Sequence, residues 1–332
     1  MTRPSVLVLA SDALFPHFFS ADSLRQLDEV SDWTRSSISE DSQLLRDHIA
    51  NADVLMTTWH SPFLTAEMLG SQPRVKLIAH CGGEVKARVA EEIFDYVTVT
   101  NAADPMARGV AEMALALVLT LVRRIPDYAA EMRDGVVRTN NEVGEGESLS
   151  GRRVGLVGFG RIGRVFAKLI RPFEVELLVS DPYADAHSVN EQGGSLVDVD
   201  DLVRACSVIV LAAALTPETK NLFDKDRLSA TADGTFLINV ARGGLIDTEA
   251  LVVELRSGRI TAALDVTDPL EPLPPDHELR KLRNVILTPH IAAGGIEMRR
   301  EIGALAVAEV VRFAKGESPL NRVTREMLAT MT

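Results

Sequence analysis

The chain has 332 residues, 46% of them hydrophobic and 25% charged, the balance of a globular protein with enough length for two cores. Its formal net charge of −12 argues against nucleic acid as a partner, because neutralising phosphates needs clustered Lys and Arg. The two cysteines, Cys81 and Cys206, stand far apart with no CxxC or Cys/His cluster, so neither a disulfide framework nor a metal site is expected.

The opening residues hold an apolar run too short for a secretory signal, which reads as a cytoplasmic protein. Short apolar strands are expected at 6–10, 53–57, 75–79 and 96–100, with helical spacing at 42–50 and 66–69. This is βα alternation, which implies a mostly parallel sheet covered by helices. A long helix follows at about 110–124, closed by Ile125-Pro126 and apolar nearly all round, so it is expected to be buried at a domain or subunit interface. Its apolar segment 110–122 carries Glu112 and is too short to span a bilayer, so no membrane partner is expected. The polar stretch at 140–150, NNEVGEGESLS, reads as a linker or surface arm.

A second βα series opens with strand 153–157 and continues with strands at 176–180, 207–212, 235–240, 260–264 and 285–287. Six strands with helices between them make a complete dinucleotide fold. A last helix is expected at 296–315, and no regulatory tail domain after it.

The first turn of this second series carries VGLVGFGRIGR, in which Gly158, Gly160 and Gly163 form G-x-G-x-x-G between an apolar strand and a helical segment at 161–170. The three glycines suit a tight turn, a close approach of backbone to a pyrophosphate, and close helix–strand packing. The helix N-terminus then offers N–H groups and a positive dipole end to the phosphates. The second strand ends in SDPY, and Asp181 lies 18 residues after Gly163 (181 − 163), close to the ~20 expected of the acid that binds the ribose hydroxyls. A carboxylate there, with no Arg after it, favours NAD over NADP.

Later strands also end in polar residues. Strand 235–240 leads to Arg242 and two glycines, 260–264 to Asp265, and 285–287 to TPH with His290. In an open α/β sheet the ligand crevice lies beyond the carboxyl ends of the strands, so these residues should share one site. Arg242 offers a planar guanidinium fork, and the glycines after it are expected to keep backbone close to cofactor and ligand. His290 suits an acid/base.

Taken in order, GFGRIG, SDPY, LTPET, NVARGGLID, ALDVTDPLEP and LTPHIA resemble the D-isomer-specific 2-hydroxyacid dehydrogenases over the whole chain. The resemblance implies two Rossmann-like/flavodoxin-like doubly wound parallel-sheet α/β domains with a cleft between them: a discontinuous substrate-binding domain, 1–105 plus 296–332, and a NAD-binding domain, 106–295. It implies NAD as cofactor, a small 2-keto or 2-hydroxy acid as substrate, and a homodimer. It implies cofactor contacts from Gly158, Gly160, Arg161, Ile162, Gly163, Asp181, Thr219, Val240, Ala241 and Asp265. It implies substrate contacts from Gly83, Glu84 and Arg242, and catalysis by Arg242, His290 and an acid behind the imidazole. In LDVTDPLEP that acid is Glu271 or Asp268, and the EPLP text after a one-residue insertion at Leu270 favours Glu271.

The substrate loop departs from the family pattern. In LIAHCGGEVK, His80 stands where an arginine is usual and Lys86 where an acid is usual. Glu84 inside such a loop either points to solvent or pairs with Lys86 or Arg88. Trp59 upstream reads as core or pocket wall, and Val137 stands where the arm after the long helix usually has a tryptophan. The implied function is interconversion of a 2-keto acid and a D-2-hydroxy acid, with glyoxylate/hydroxypyruvate reduction and 3-phosphoglycerate oxidation as the two candidates. A non-enzymatic NAD(H)-binding regulatory protein is the alternative.

Overall fold

The structure is a computed structural model that describes residues 3–137 and 146–331; residues 140–145 of the expected linker lie outside the described residues. In chain order the elements are β1 (Ser5–Leu9), α1 (Phe15–Phe18), α2 (Ala21–Val30), β2 (Asp32–Ser36), α3 (Gln43–Ala50), β3 (Val54–Thr57), α4 (Ala66–Leu69), β4 (Leu77–His80), β5 (Thr98–Thr100), α5 (Ala103–Val122) and α6 (Ile125–Arg133). They continue with β6 (Arg153–Val157), α7 (Arg161–Ile170), β7 (Glu176–Ser180), α8 (Ala186–Glu191), β8 (Gly194–Leu196), α9 (Val199–Ala205), β9 (Val208–Leu211), α10 (Lys225–Ala230), β10 (Thr235–Asn239), α11 (Thr248–Ser257), β11 (Ile260–Leu264), β12 (Val285–Leu287), α12 (Ile296–Lys315) and β13 (Arg322–Val323). The chain divides into two compact units, Met1–Met106 with Gly294–Thr332, and Ala107–Ala293.

The first unit is built on a six-stranded sheet in the order β13-β5-β4-β3-β1-β2. Its first five strands are parallel, and β13 pairs antiparallel with β5. Side chains alternate between two buried faces, as a strand's period of two dictates. Val6 and Val8 face a core that includes Phe18, Leu27 and, from α12, Ile302, Ala306, Val307 and Val310. Leu7 and Leu9 face the opposite core with Leu45 and Ile49 of α3.

The second unit carries seven parallel strands in the order β12-β11-β10-β9-β6-β7-β8. Val208 and Val210 of β9 enter one core with α5 and α7, while Ile209 and Leu211 enter the other with α9 and α11. The order reverses between β6 and β9, and ligands of such sheets bind beyond the carboxyl ends at this switch.

Several expectations are corrected. β2, β8 and β13 were not expected. β2 is an edge strand whose sequence, DWTRS, leaves only Ser36 buried, so it lacks the apolar alternation that marks a strand. The long helix starts at Ala103, seven residues earlier than expected (110 − 103), with Asp104 and Pro105 in a first turn that favours both residue types. At 20 residues it is long and apolar enough to cross a membrane by length and composition, with 44% of its most apolar window buried. Within the single chain, Ala107, Val110, Ala111, Ala114, Leu117, Val118, Leu121 and Val122 form its buried face, and Ala116 is exposed. Ile125-Pro126 does not simply close this helix. Arg124 adopts a left-handed backbone at φ 50°, and Pro126 then opens α6.

Candidate active site

The glycine turn after β6 has the shape a dinucleotide needs. Gly158 sits at φ +97°, and a Cβ there would lie 2.5 Å from the amide nitrogen of Ala213. A Cβ on Gly163 would strike the Gly158 carbonyl oxygen. Gly160, by contrast, has nothing within 4 Å of its would-be Cβ, so its face is open. It is also the N-cap of α7 and supplies no side-chain cap, so the first-turn N–H groups of Arg161, Ile162 and Gly163 lack intrahelical acceptors. An open glycine face beside uncapped N–H groups fits a pyrophosphate. Asp181 lies at the lip of this turn, where its Oδ2 accepts from Phe159 N at 2.6 Å and its Oδ1 from Tyr183 N at 2.8 Å. A carboxylate has about four lone-pair sites, so acceptor capacity is left for ribose hydroxyls.

Further along the same edge, the Thr219 hydroxyl donates to Ala214 O at 2.7 Å and accepts from Thr216 N at 2.7 Å, which knots the loop after β9. β10 then ends in Asn239, which is fully buried and was not singled out by sequence. Its Oδ1 accepts from Ala241 N at 3.0 Å and its Nδ2 donates to Arg242 O at 2.9 Å. The side chain thus fixes the backbone of Val240, Ala241 and Arg242. The only sequence signal for it is a polar residue closing an otherwise apolar strand. Arg242 Nη1 donates to Ala241 O at 2.8 Å. The expected reason for the glycines after it needs correction at Gly243. A Cβ there would strike the backbone of Thr267, so this glycine admits the chain after β11 rather than a ligand.

Asp265 follows β11 and is fully buried. Its Oδ1 accepts from the Thr288 hydroxyl at 2.6 Å and from Ile291 N at 3.0 Å, and its Oδ2 from Ala292 N at 2.9 Å. Its carbonyl accepts from His290 N at 2.8 Å. His290 holds a left-handed backbone at φ 54°, sparsely populated for a residue with a side chain. Asp265 is what holds the chain in that shape. The side chain so directed is half exposed, and its Nδ1 lies 3.0 Å from Glu271 Oε1. Asp268 is used differently: its carbonyl accepts from the Thr248 hydroxyl at 2.7 Å. Because β10, β11 and β12 are adjacent and parallel, Arg242, Asp265 and His290 stand past the carboxyl ends of neighbouring strands.

The loop after β4 belongs to the first unit. His80 is buried, and its Nδ1 lies 2.8 Å from the Thr57 hydroxyl. Burial, aided by the charge of Arg88, lowers its pKa to about 3, so the ring is neutral. Glu84 does not stand open in the loop: its Oε1 accepts from Ala87 N at 2.6 Å. Asn101 Nδ2 donates to Gly83 O at 2.6 Å. Among the described residues, the N–H groups of Gly82, Gly83 and Glu84 face no protein acceptor, and such a run of N–H groups is suited to an anion. Also among the described residues, no group of three or more His, Cys, Asp or Glu side chains is placed to hold a metal.

Residues 115–292 match the model of the D-isomer specific 2-hydroxyacid dehydrogenase, NAD binding domain. A glyoxylate reductase of Thermofilum pendens is 34% identical over 90% of this chain and 88% of its own length. A D-3-phosphoglycerate dehydrogenase of Archaeoglobus fulgidus is 33% identical over 78% of this chain, which spans only 49% of that protein. The crystal structure of the TT0316 protein from Thermus thermophilus superposes with a TM-score of 0.79 at 32% identity, covering 96% of this chain and 100% of that one. With a glycine turn open to a pyrophosphate and a histidine–carboxylate pair on the same sheet edge, the chain belongs to the D-isomer specific 2-hydroxyacid dehydrogenases and uses NAD as its cofactor.

Proposed function

We propose that the protein reduces a small 2-keto acid to its D-2-hydroxy acid, and catalyses the reverse oxidation, with Arg242, Glu271 and His290 as its catalytic residues. The observation that carries this reading is the 3.0 Å approach of Glu271 Oε1 to His290 Nδ1. With Nδ1 turned to the carboxylate, Nε2 is the nitrogen left to donate a proton to the substrate oxygen on reduction and to take it back on oxidation. Glu271 steadies the ring and balances the charge it carries when protonated. Arg242 holds the carboxylate and the neighbouring keto oxygen with one planar fork. Bound NAD(H) supplies or accepts the hydride. Asp181 would hold the ribose hydroxyls, the turn 158–163 the pyrophosphate, and Thr219, Val240 and Ala241 would line the remainder of the cofactor site, while the expected cofactor contact of Asp265 is corrected: fully buried, it acts by holding the loop that carries His290. The unpaired N–H groups of Gly83 and Glu84 would receive the substrate carboxylate.

In this reading Ala107–Ala293 is the NAD-binding domain and the other unit binds substrate. Of the two candidate reactions we place glyoxylate or hydroxypyruvate reduction before 3-phosphoglycerate oxidation; this chain spans 88% of a glyoxylate reductase but about half of a phosphoglycerate dehydrogenase. Two buried, free thiols suit a reducing cytoplasm. α6 buries none of its residues, and Ile125 and Met132 are more than half exposed, which suits pairing with a second copy. A panel of 2-keto acids incubated with NADH or NADPH, followed by cofactor oxidation, tests the activity. Turnover with NADH is expected. NADH binding with no turnover of any keto acid would instead indicate a regulatory protein.

A further inference from the structure

One guanidinium in the first unit has, among the described residues, no counter-ion and most of its donors unused. Arg299 lies in the first turn of α12 and is partly buried. Its Cζ sits 4.9 Å from the centre of the Trp59 ring, and its Nη1 lies 3.1 Å from His17 Nδ1. Its Nε is enclosed and has no hydrogen-bond partner. Among the described residues, no protein acceptor meets its Nη2 and no carboxylate pairs with it. The indole beneath attracts the charge but offers no lone pair, so it leaves these donors unsatisfied. Leaving a buried donor unmade is costly, more so on a charged group. The unused donors are Nε and Nη2, which share one edge of the guanidinium, the edge that binds a carboxylate side-on through two parallel hydrogen bonds.

Trp59 ties this edge to the turn 82–84. A Cβ on Gly82 would lie 3.0 Å from Trp59 Nε1 and would collide with the His80 ring. Phe18 meets the indole edge-on at 5.2 Å, which fixes its orientation. One indole therefore has Arg299 over its face and, beside its N–H, a turn whose amide groups lack acceptors. His80 adds no charge there, because burial holds it neutral. Arg88, whose Nη1 is 3.4 Å from Ser61 O, is a cation near His80.

We propose that Arg299 is a further substrate-binding residue: its Nε/Nη2 edge takes a carboxylate held at the turn 82–84, with Trp59 and His17 fixing the guanidinium in place. The inference rests on the reading that this turn receives the substrate carboxylate. It gives the first unit a cation of its own for a small carboxylic acid, separate from Arg242.

The test uses the full chain in a Trp33→Phe background, which leaves Trp59 as the one tryptophan. Oxalate, a non-reducible carboxylate, is titrated against Trp59 fluorescence. Saturable quenching is expected, and Arg299→Met should raise the half-saturating concentration about 10–100-fold, the loss of a charge-assisted pair. Arg299→Lys, which keeps the charge and loses the fork, should fall between. Glyoxylate reduction should show the same order as a rise in KM with a smaller change in kcat. Absence of oxalate quenching in the parent, or an unchanged half-saturation in Arg299→Met with native circular dichroism, would overturn the proposal. If Arg299→Met does not fold, the Lys variant decides: an unchanged half-saturation overturns the proposal and a weakened one supports it. Oxalate binding that depends on Arg299, without turnover of any 2-keto acid, would leave this site standing and remove the dehydrogenase reading alone.

Discussion

At the carboxyl edge of the first sheet, His80 ends β4 inside the fold, 2% exposed, with its Nδ1 on the Thr57 hydroxyl. At the same edge of the second sheet, His290 stands three residues beyond β12 with its side chain 46% exposed and its Nδ1 on Glu271. Both rings are positioned through Nδ1, but the partner and the surroundings differ. A hydroxyl in a dry core holds a neutral ring and gives it no means of carrying a proton. A carboxylate at an accessible edge balances the charge that appears when the ring is protonated. The backbone tells the same story. His80 ends a regular strand, while His290 needs φ 54° and is held there by Asp265. In the proposed mechanism, residue type alone therefore says little about acid/base chemistry. The partner on the second nitrogen and the access of the first decide it.

Exchanging the two histidines in turn should break the symmetry of the comparison most plainly. His290→Asn is expected to lower kcat/KM for keto-acid reduction about 10²–10⁴-fold, the usual worth of a positioned acid/base. His80→Asn should change kcat/KM little and lower the urea midpoint instead; steady-state rates and unfolding curves on both variants check this. Arg242→Lys should cost ~2–4 kcal/mol of transition-state stabilisation because the charge stays and the fork is lost. NADH affinity, measured by fluorescence, should not change with it, and a normal kcat/KM would make Arg242 structural. Asp181→Ala should narrow the preference for NADH over NADPH by on the order of tenfold, about one charge-assisted hydrogen bond, read as the ratio of kcat/KM values.

The smallest effect sharpens the burial half of the comparison. The folded pKa of His80, about 3, lies below its ordinary 6.5. Between these values the unfolded chain takes up a proton that the folded chain refuses. Stability from this group is therefore complete above about 6.5, falls as pH drops through the window, and stops falling below about 3. His80→Asn should flatten that part of the stability–pH curve, and an unchanged slope in denaturant midpoints would show that other groups set it.

Much of this was legible in the sequence where one residue type has one job. The glycine turn, Asp181, the apolar strands β6, β7, β11 and β12 and the helix α12 are written in spacing and apolar periodicity. Other features depend on where distant segments meet. Gly243 looks like a ligand-facing glycine, yet its missing side chain makes room for Thr267, 24 residues on (267 − 243). Asn239 looks like an ordinary strand end, yet it fixes the turn that carries Arg242. Glu84 reads as a misplaced charge until the turn at Ala87 supplies its N–H. Arg299 offers no pattern at all, because what sets it apart is a buried Nε that meets no acceptor among the described residues. β2 was hidden because an exposed edge strand needs little apolar content.

The first sheet is closed by β13, and its core by Ile302, Ala306, Val307 and Val310 of α12. These pieces leave the ribosome only after the whole of Ala107–Ala293 has been made. During synthesis the β1–β5 segment therefore waits with its α12-facing apolar surface uncovered while the contiguous second unit already has every strand it needs. The order of completion thus reverses the order of synthesis: the unit that holds β1 is finished after the unit that follows it, and until then its α12-facing surface is the kind of transiently exposed apolar surface that favours aggregation.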